Sequence, residues 1–438
     1  MTLKKRRFLF YFLVIVFAAA GAAIIFYSQG WRLTVKNGEW KIQKTGAIYI
    51  ETKPAGVVIK IDKKIHKDKS GVIQRGTLIS DLLPKKYELE ISKNGYLSWQ
   101  KNIEVKPEFV AEAIGLILIP NEIKSEAVPI RLRGEKFAGW SGNGKFIIKN
   151  TGAGIYYLYD LNDPATVFNA TLNFKNLKNN GVIENLAFHP FDSNKLIVET
   201  KKGLDILDIL RLKTENISSS KPIAWTVQNP NVYYIKENYE PESKTKKYNL
   251  YSFNLMLKTE NVVAELDDRV SSDLPIKLAV SGSRDKIAVL NDSNDLYLFD
   301  FTLNNFNKIS DGVKDFAFSP DNKKLAFSGA NSKIGVYFLK DWTKNIIKKK
   351  GETADLNFNL KDGEKIKKIY WHGDSYHLFV ESSDADDSEK IAFVEIDNRP
   401  PLNQYDLFTG IADFHYEQRS DALYYIKENS LYFSEIFE

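Results

Sequence analysis

Cysteine is absent from the 438-residue chain. That excludes disulfides, thiolate metal sites, a cysteine nucleophile and the lipid-modified cysteine of a bacterial lipoprotein signal. Histidine is scarce at five. No Gly-rich phosphate cradle, Gly-x-Ser-x-Gly elbow or His-Glu-x-x-His pair occurs. A surplus of one charge sign is missing too. The net charge is +5, but Lys4, Lys5, Arg6 and Arg7 supply four of it, leaving 57 basic against 56 acidic residues elsewhere. A nearly neutral body lacks the concentrated basic surface that phosphate binding needs, so no nucleic acid is expected as a partner.

What the chain does have is apolar alternation. It is 43% hydrophobic and 13% aromatic, enough for β-rich cores in two or more domains. Residues 315–341 read as three strands. Phe316 and Phe318 alternate, Ser319, Pro320, Asp321 and Asn322 make a tight turn, Leu325 and Phe327 alternate again, and a third run covers 334–339. A lone ribbon of this kind cannot bury its apolar faces and needs copies of itself. Residues 410–416 align with 312–318 without a gap. With Phe318 as anchor, equivalents fall at Trp140, Phe188, Trp225, Val280, Trp371 and Tyr416. Their spacing runs from 37 residues (Phe188 to Trp225) to 55 (Trp225 to Val280), bracketing the roughly 40–50 of four-stranded propeller blades. The expected fold class is therefore all-β, with residues 121–438 forming a seven-bladed β-propeller. The last unit runs out after three strands, so residues 128–132 are expected to supply its outer strand and close the ring.

The turn Phe318, Ser319, Pro320, Asp321, Asn322, with weaker versions after Trp140 and Phe188, resembles the repeat of TolB-type propellers, which carry Phe-Ser-Pro-Asp-Gly between the first two strands. The Gly-His and Trp-Asp dipeptides of the Trp-Asp repeat family are missing. The resemblance implies an architecture and no site.

Residues 1–7 form a basic tail expected to stay in the cytoplasm, and 8–27 an uncharged run of twenty, enough for a transmembrane helix across about 30 Å of hydrocarbon. A single-pass cell-membrane protein with extracytoplasmic C-terminal domains is expected. A cleaved signal peptide competes, with 8–17 as its apolar core and Ala18, Ala19 and Ala20 as the cleavage site. Continuation of the run through Ile24, Ile25, Phe26 and Tyr27 favours the uncleaved anchor. Residues 28–46 read as a juxtamembrane hairpin around Asn37 and Gly38, expected to pair with the domain that follows.

Residues 47–120 form a second, smaller β unit that resembles a PEGA domain. The matching residues are Lys53, Pro54, Ala55, Gly56 and Val57 at the signature turn, Ile61 to Lys64, Leu82 to Leu89, and Asn94, Gly95 and Tyr96 with Ser98 and Trp99. The sequence departs from that pattern in having Ala55 and Gly56 where Glu-Gly-Ala is usual, and Lys85 where glycine is usual, which places a side chain at an expected positive-φ position. The resemblance implies a small β-sandwich of surface and envelope proteins, a binding or spacer module without catalytic residues.

Residues that carry chemistry are few. The residue after each anchor is polar (Ser141, His189, Thr226, Ser281, Ser319, His372, Glu417), which reads as turn capping rather than a converging ring. Of the five histidines, His189 and His372 fall in units that are not neighbours, His377 follows shortly after His372, His415 is in an inner strand and His66 in the smaller unit, so the set is not expected to converge, and no metal and no cofactor are expected. The acidic stretch 383–389 lacks the glycine and terminal bidentate glutamate of a calcium loop. It and the polar loop 236–249 each join second and third strands, so both project from one face, three blades apart. Tyr239, Glu240, Lys244, Asp384, Asp386 and Asp387 are the interaction residues this suggests. The function expected is that of a non-enzymatic, membrane-anchored cell-envelope protein whose propeller binds a protein, peptide or glycan. The alternative is a hydrolase or lyase acting from the central channel, with Asp315 and Asp413, equivalent in blades five and seven, as its carboxylate pair.

Overall fold

The computed structural model describes residues 3–36, 39–71, 75–177, 181–240, 245–266, 270, 274–329, 333–361, 363–383 and 389–437. Helix α1 (Leu3–Ser28) opens the chain. It has a window of mean hydropathy 2.7, buries no residue against the protein, and is long and apolar enough to cross a membrane, a test that a signal sequence also passes. Trp31–Lys36 and Glu39–Lys44 then pair antiparallel, with Leu33 opposite Ile42 and Val35 opposite Trp40. This hairpin is a sheet of its own and does not extend the next unit, contrary to expectation. The reason lies in Gly46–Lys53, which is already paired on both sides and offers no open edge. The hairpin is tied down instead by the ion pairs Arg32–Asp81 and Lys44–Glu108.

The smaller β unit consists of two sheets around one core. Gly46–Lys53 lies between antiparallel Thr77–Leu82 and parallel Val110–Ile117. The other sheet runs Lys64–Lys67, Val58–Ile61, Lys85–Ser92, Trp99–Val105. Alternation drives the packing: Trp99, Lys101, Ile103 and Val105 point inward and the residues between them outward. The core joins Ile48 and Ala113 of the first sheet to Ile59, Leu89, Ile91 and Ile103 of the second. Lys85 opens a strand, and the left-handed non-glycine backbone falls instead at Asp62, Lys63, Asp81 and Glu108.

Beyond residue 121 the described residues form propeller-like sheets of four antiparallel strands each. Sheets I to VI span 136–169, 185–218, 224–265, 275–310, 313–356 and 365–411, each built from consecutive strands. Sheet VII combines Asp413–Glu417, Ala422–Lys427 and Ser430–Glu435 with Glu126–Arg131, which pairs antiparallel with Ser430–Glu435 through Glu126 to Phe433 and Val128 to Leu431. The N-terminal side thus supplies the last sheet's outer strand, as expected. Apolar clusters fill the seam between each sheet and the next: Leu158 with Phe188, Ile206 with Tyr234, Leu250 with Val289, Leu298 with Phe316, Val336 with Ile369, and Phe379 with Phe414. A further cluster joins the last sheet to the first, Ile130, Leu132, Ile426 and Leu431 against Phe146, Ile148 and Tyr159.

Two local readings of the sequence are corrected. Within 236–249, residues 236–240 and 245–249 are strand: Asn231–Glu240 and Thr245–Asn254 pair along their whole length, from Asn231 opposite Asn254 to Glu240 opposite Thr245. Their outer half is polar on both faces and carries no apolar alternation to mark it as strand. Six of the anchors end their inner strands or stand next to last, but Trp225 is second in Ala224–Gln228, where Val227 holds the equivalent place. A slip of two residues keeps every side chain on its own face, so alternation does not register it. Helix α2 (Ala170–Leu177) is also additional to the all-β reading. The Asn169 side chain caps it by accepting from the Leu172 N–H at 2.9 Å, and Ala170 and Phe174 fill the seam between sheets I and II.

The smaller unit is seated on sheets V to VII. Lys101 is wholly buried there, ion-paired to Glu395 and donating to the carbonyls of Asp397 (3.0 Å), Arg399 (2.8 Å) and Pro401 (2.8 Å). The Trp99 indole N–H reaches the same carboxylate at 2.9 Å. Asn345 both accepts from and donates to the Ile114 backbone at 2.9 Å. At Gly115 (φ +68°) a side chain would run into the Tyr376 ring.

Two outcomes are expected. Ile130→Ala, in the closing seam, should lower unfolding stability by about 2–5 kcal/mol, read as a shift in denaturant midpoint. Lys101→Met or Glu395→Gln alone should cost about 3–5 kcal/mol by stranding the buried partner, and the double replacement distinctly less than their sum. A double-mutant cycle checks this, and strict additivity would contradict the coupling.

Candidate functional site

Each inner strand of sheets I to VII runs from a start end to a turn end, where the chain folds back into the second strand. The turn between second and third strands therefore returns to the start end. At the turn end the polar residues after the anchors are consumed locally. Ser141, Ser281 and Ser319 accept from the backbone N–H of Lys145, Lys286 and Lys324 at 3.0–3.1 Å, which is turn capping. His372 is bound from both sides, Nε2 to Asp421 at 2.8 Å and Nδ1 to Asp374 at 3.0 Å, and His377 Nδ1 meets Asp374 at 2.7 Å. Burial alone would lower the His372 pKa, but the two carboxylates outweigh it and raise it to about 9. Donor atoms of His372, Asp374 and His377 lie within 4.8 Å of one another, a convergence that a count of histidines alone misses because its centre is an aspartate. A metal ion there would have to displace the proton that His372 holds so firmly. His415, stacked 4.6 Å from Trp140, behaves oppositely: burial pulls it down to about 4.

The turn end also carries a groove of about 570 Å³ on sheets I to III, lined by Trp140, Phe188, His189, Phe191 and Val227 with Arg419 at its rim. The seat of the smaller unit is on the other side of this end, at Tyr376, Glu395 and Asp421.

The start end holds a cluster of opposite charges. Lys136 Nζ lies 2.8 Å and Lys367 Nζ 3.3 Å from Glu389. Lys368 Nζ stands 3.9 Å from both Glu381 and Asp413. Glu381 is 1% exposed, and neither of its oxygens has a hydrogen-bond partner. Burial pushes its pKa up to about 7, with Lys368 pulling it back and the Asp413 and Glu389 charges adding to the rise. Asp413 is raised as well, by burial first. Burial and then the surrounding carboxylates keep the Tyr370 hydroxyl protonated far above the ordinary tyrosine range.

Asp315 and Asp413 are each engaged in backbone hydrogen bonds. Asp315 Oδ2 accepts from the Ile369 N–H at 2.9 Å, and Asp413 Oδ2 from the Phe137 N–H at 2.7 Å, each capping the inner strand of the following sheet. Of the six proposed interaction residues, Tyr239 and Glu240 close the long hairpin opposite Lys246 and Thr245. Lys244, Asp384, Asp386 and Asp387 lie outside the described residues, though Ser383 and Glu389 pair across that second turn. Both hairpins thus leave the start end. Glu381 went unnoticed because a single glutamate in an apolar strand has no pattern; its neighbours come from other strands.

No protein-family model and no curated protein matches the chain. Among solved structures it is similar to a chain of a structure described as the mitotic checkpoint complex, at 11% identity and a TM-score of 0.48, covering 73% of this chain and 94% of that one. It is also similar to the Myceliophteria thermophila Cps50 (Swd1) β-propeller domain, at 6% identity and 0.49, covering 72% and 100%. Identity this low says nothing of partner or activity.

The raised Glu381 pKa has a definite pH signature. The folded state binds this proton more tightly than the unfolded chain, whose value is near 4.5. The stability cost is therefore absent below about pH 4.5, grows up to about pH 7 and stays constant above, reaching about 3 kcal/mol. Glu381→Gln should gain up to that amount at pH 8 and nothing at pH 4. Denaturant unfolding of the detergent-solubilised chain across this range measures it.

Proposed function

We propose that the chain is a non-enzymatic cell-envelope protein that displays a binding platform outside the cytoplasm. In this reading α1 is an uncleaved single-pass anchor, with the Lys4 to Arg7 cluster on the cytoplasmic side. The smaller β unit is a PEGA-type spacer, and the sheets beyond residue 121 are a seven-bladed propeller of TolB type. The occupant of the platform is a protein, peptide or glycan.

One observation carries the choice of face. The spacer occupies the turn end of sheets V to VII through Trp99, Lys101 and Ile114, so the start end points away from the anchor. The strands of both second-to-third-strand pairs, Asn231–Glu240 with Thr245–Asn254 and His377–Ser383 with Glu389–Glu395, open toward that free end, and connections at the end of a rigid scaffold are where recognition surfaces are built. Tyr239 and Glu240 at one tip and Asp384, Asp386 and Asp387 at the other are the proposed contacts, with Lys244 beside the former.

The alternative, a propeller hydrolase or lyase working from the axis, has one observation in its favour. Glu381 holds a proton to about pH 7 beside Asp413 and Glu389, as a general acid should. Its burial counts against that role, since a general acid has to reach its substrate.

Cross-linking from a photoreactive residue placed at Tyr239 tests the platform in envelope preparations. A partner should be captured by the intact protein and lost when residues 241–244 and 384–388 are each replaced by two residues, while Phe191→Ala at the opposite groove leaves capture intact. Capture that survives the shortening would remove the start end as the binding face.

A further inference from the structure

Among the described residues nothing covers the apolar side chains on one face of the hairpin after α1. Residues along a strand alternate sides, and residues directly paired across strands share one. Leu33, Ile42 and Trp40 therefore stand on the same face, with Trp31 beside Leu33. Leu33 is 58%, Trp40 70% and Ile42 56% exposed. A ribbon of two strands is marginal in water on its own, and this one shares no ladder with another sheet. An apolar face of this kind needs a cover.

Its position says which cover. The hairpin begins at Trp31, directly after the end of α1 at Ser28, and is held to the helix end. The Phe26 ring stacks on Trp31 at 5.5 Å, the Arg32 guanidinium lies 3.5 Å over the Tyr27 ring, and Arg32 Nη1 donates to the Tyr27 carbonyl at 2.8 Å. Between helix and hairpin runs an apolar groove of about 550 Å³ lined by Ala22, Ala23, Phe26, Tyr27, Trp31 and Leu33. The groove continues the flank of a helix that buries nothing against the protein. Tyrosine, tryptophan and arginine gathered at the end of an apolar helix match the chemistry of the membrane–water interface, where rings sit at headgroup level and cationic heads reach for water.

We propose that the face formed by Leu33, Trp40 and Ile42 lies in the headgroup and upper acyl region of the outer leaflet, with lipid chain in the groove beside Phe26. The hairpin is then a lipid-docking ribbon that fixes the height and tilt of the exported domains, rather than a loose tether. The ion pairs Arg32–Asp81 and Lys44–Glu108 transmit that orientation to the smaller β unit. This rests on the reading of α1 as an uncleaved anchor.

Because the chain has no cysteine, single labels can be placed cleanly. Ile15→Cys in α1, Leu33→Cys and Ile42→Cys in the hairpin, and Leu257→Cys at an exposed turn of sheet III are each labelled with bimane in the full chain. The chains are reconstituted into phosphatidylethanolamine–phosphatidylglycerol vesicles. Labels at 15, 33 and 42 should shift to shorter wavelength and lose emission to nitroxide-bearing lipids, those at 33 and 42 most strongly to nitroxides near the headgroup. The label at 257 should be quenched only by aqueous iodide. If 15 is lipid-quenched while 33 and 42 respond to iodide like 257, the hairpin inference falls and the anchor stands. If 33 and 42 are shielded from both quenchers, a protein covers the face and the lipid assignment falls. If 15 itself responds to iodide, the anchor reading fails and the inference with it.

Discussion

Everything beyond residue 121 depends on a β-ladder made between two segments about 300 residues apart in the chain, Glu126–Arg131 and Ser430–Glu435. Bringing them together is entropically cheaper than the separation suggests, because closure cost grows only logarithmically with length, about 0.6 kcal/mol per doubling. The seam that forms beside the ladder buries Ile130, Leu132, Phe146, Ile148, Ile426 and Leu431, at about 1.5–3 kcal/mol for each aliphatic or aromatic side chain. Without it, sheets I and VII would each present an apolar face to water, and Ser430–Glu435 would become an unpaired edge. Closure therefore makes the sheets interdependent.

The second constraint is a charge taken out of water. Burying Lys101 costs more than its attraction to Glu395 returns unless the remaining donor positions are filled, and they are filled by three carbonyls of the segment 397–401. Such a knot contributes less to stability than to uniqueness, since any other seating strands a buried ammonium group. It therefore decides which end of the sheets is covered and which is free. The hairpin after α1 works in the same direction from the other side of the smaller unit, through Arg32 and Lys44.

Much of this was legible in the sequence because it is written in period-two alternation: the repeats, the anchors at strand ends, the strand contributed from the N-terminal side, and the apolar run of α1. The illegible parts share one physical cause, the absence of that signal. The outer half of the 231–254 hairpin is polar and passed for a loop, and Lys64–Lys67 and Thr77–Leu82 lack a clean apolar face. Trp225 was misplaced by two residues, a shift to which alternation is blind. Helix α2, eight residues long, is too short for helical periodicity to stand out and owes its place to the Asn169 cap and to Phe174. The site was less legible than the fold. Asp374 lies within three residues of both its histidines, around a turn that reads as capping, whereas Glu381 among lysines is a product of neighbours from other strands.

Asp413 shows how the same residue type reads differently from sequence and from structure. An aspartate repeated at equivalent positions of inner strands has the look of catalytic chemistry. Yet its Oδ2 accepts from the Phe137 N–H of sheet I at 2.7 Å and its Oδ1 from the adjacent Phe414 N–H at 2.9 Å, so both oxygens are engaged by backbone and one of them holds sheet VII to sheet I. Inner strands of neighbouring sheets do not pair into a ladder, which leaves backbone N–H groups facing the axis without strand partners. A short carboxylate one sheet back satisfies such a group at charge-assisted strength. The ring is thus fastened at its inner edge by Asp413 and at its outer edge by Glu126–Arg131. A carboxylate committed in this way is poorly placed to take a proton from a substrate.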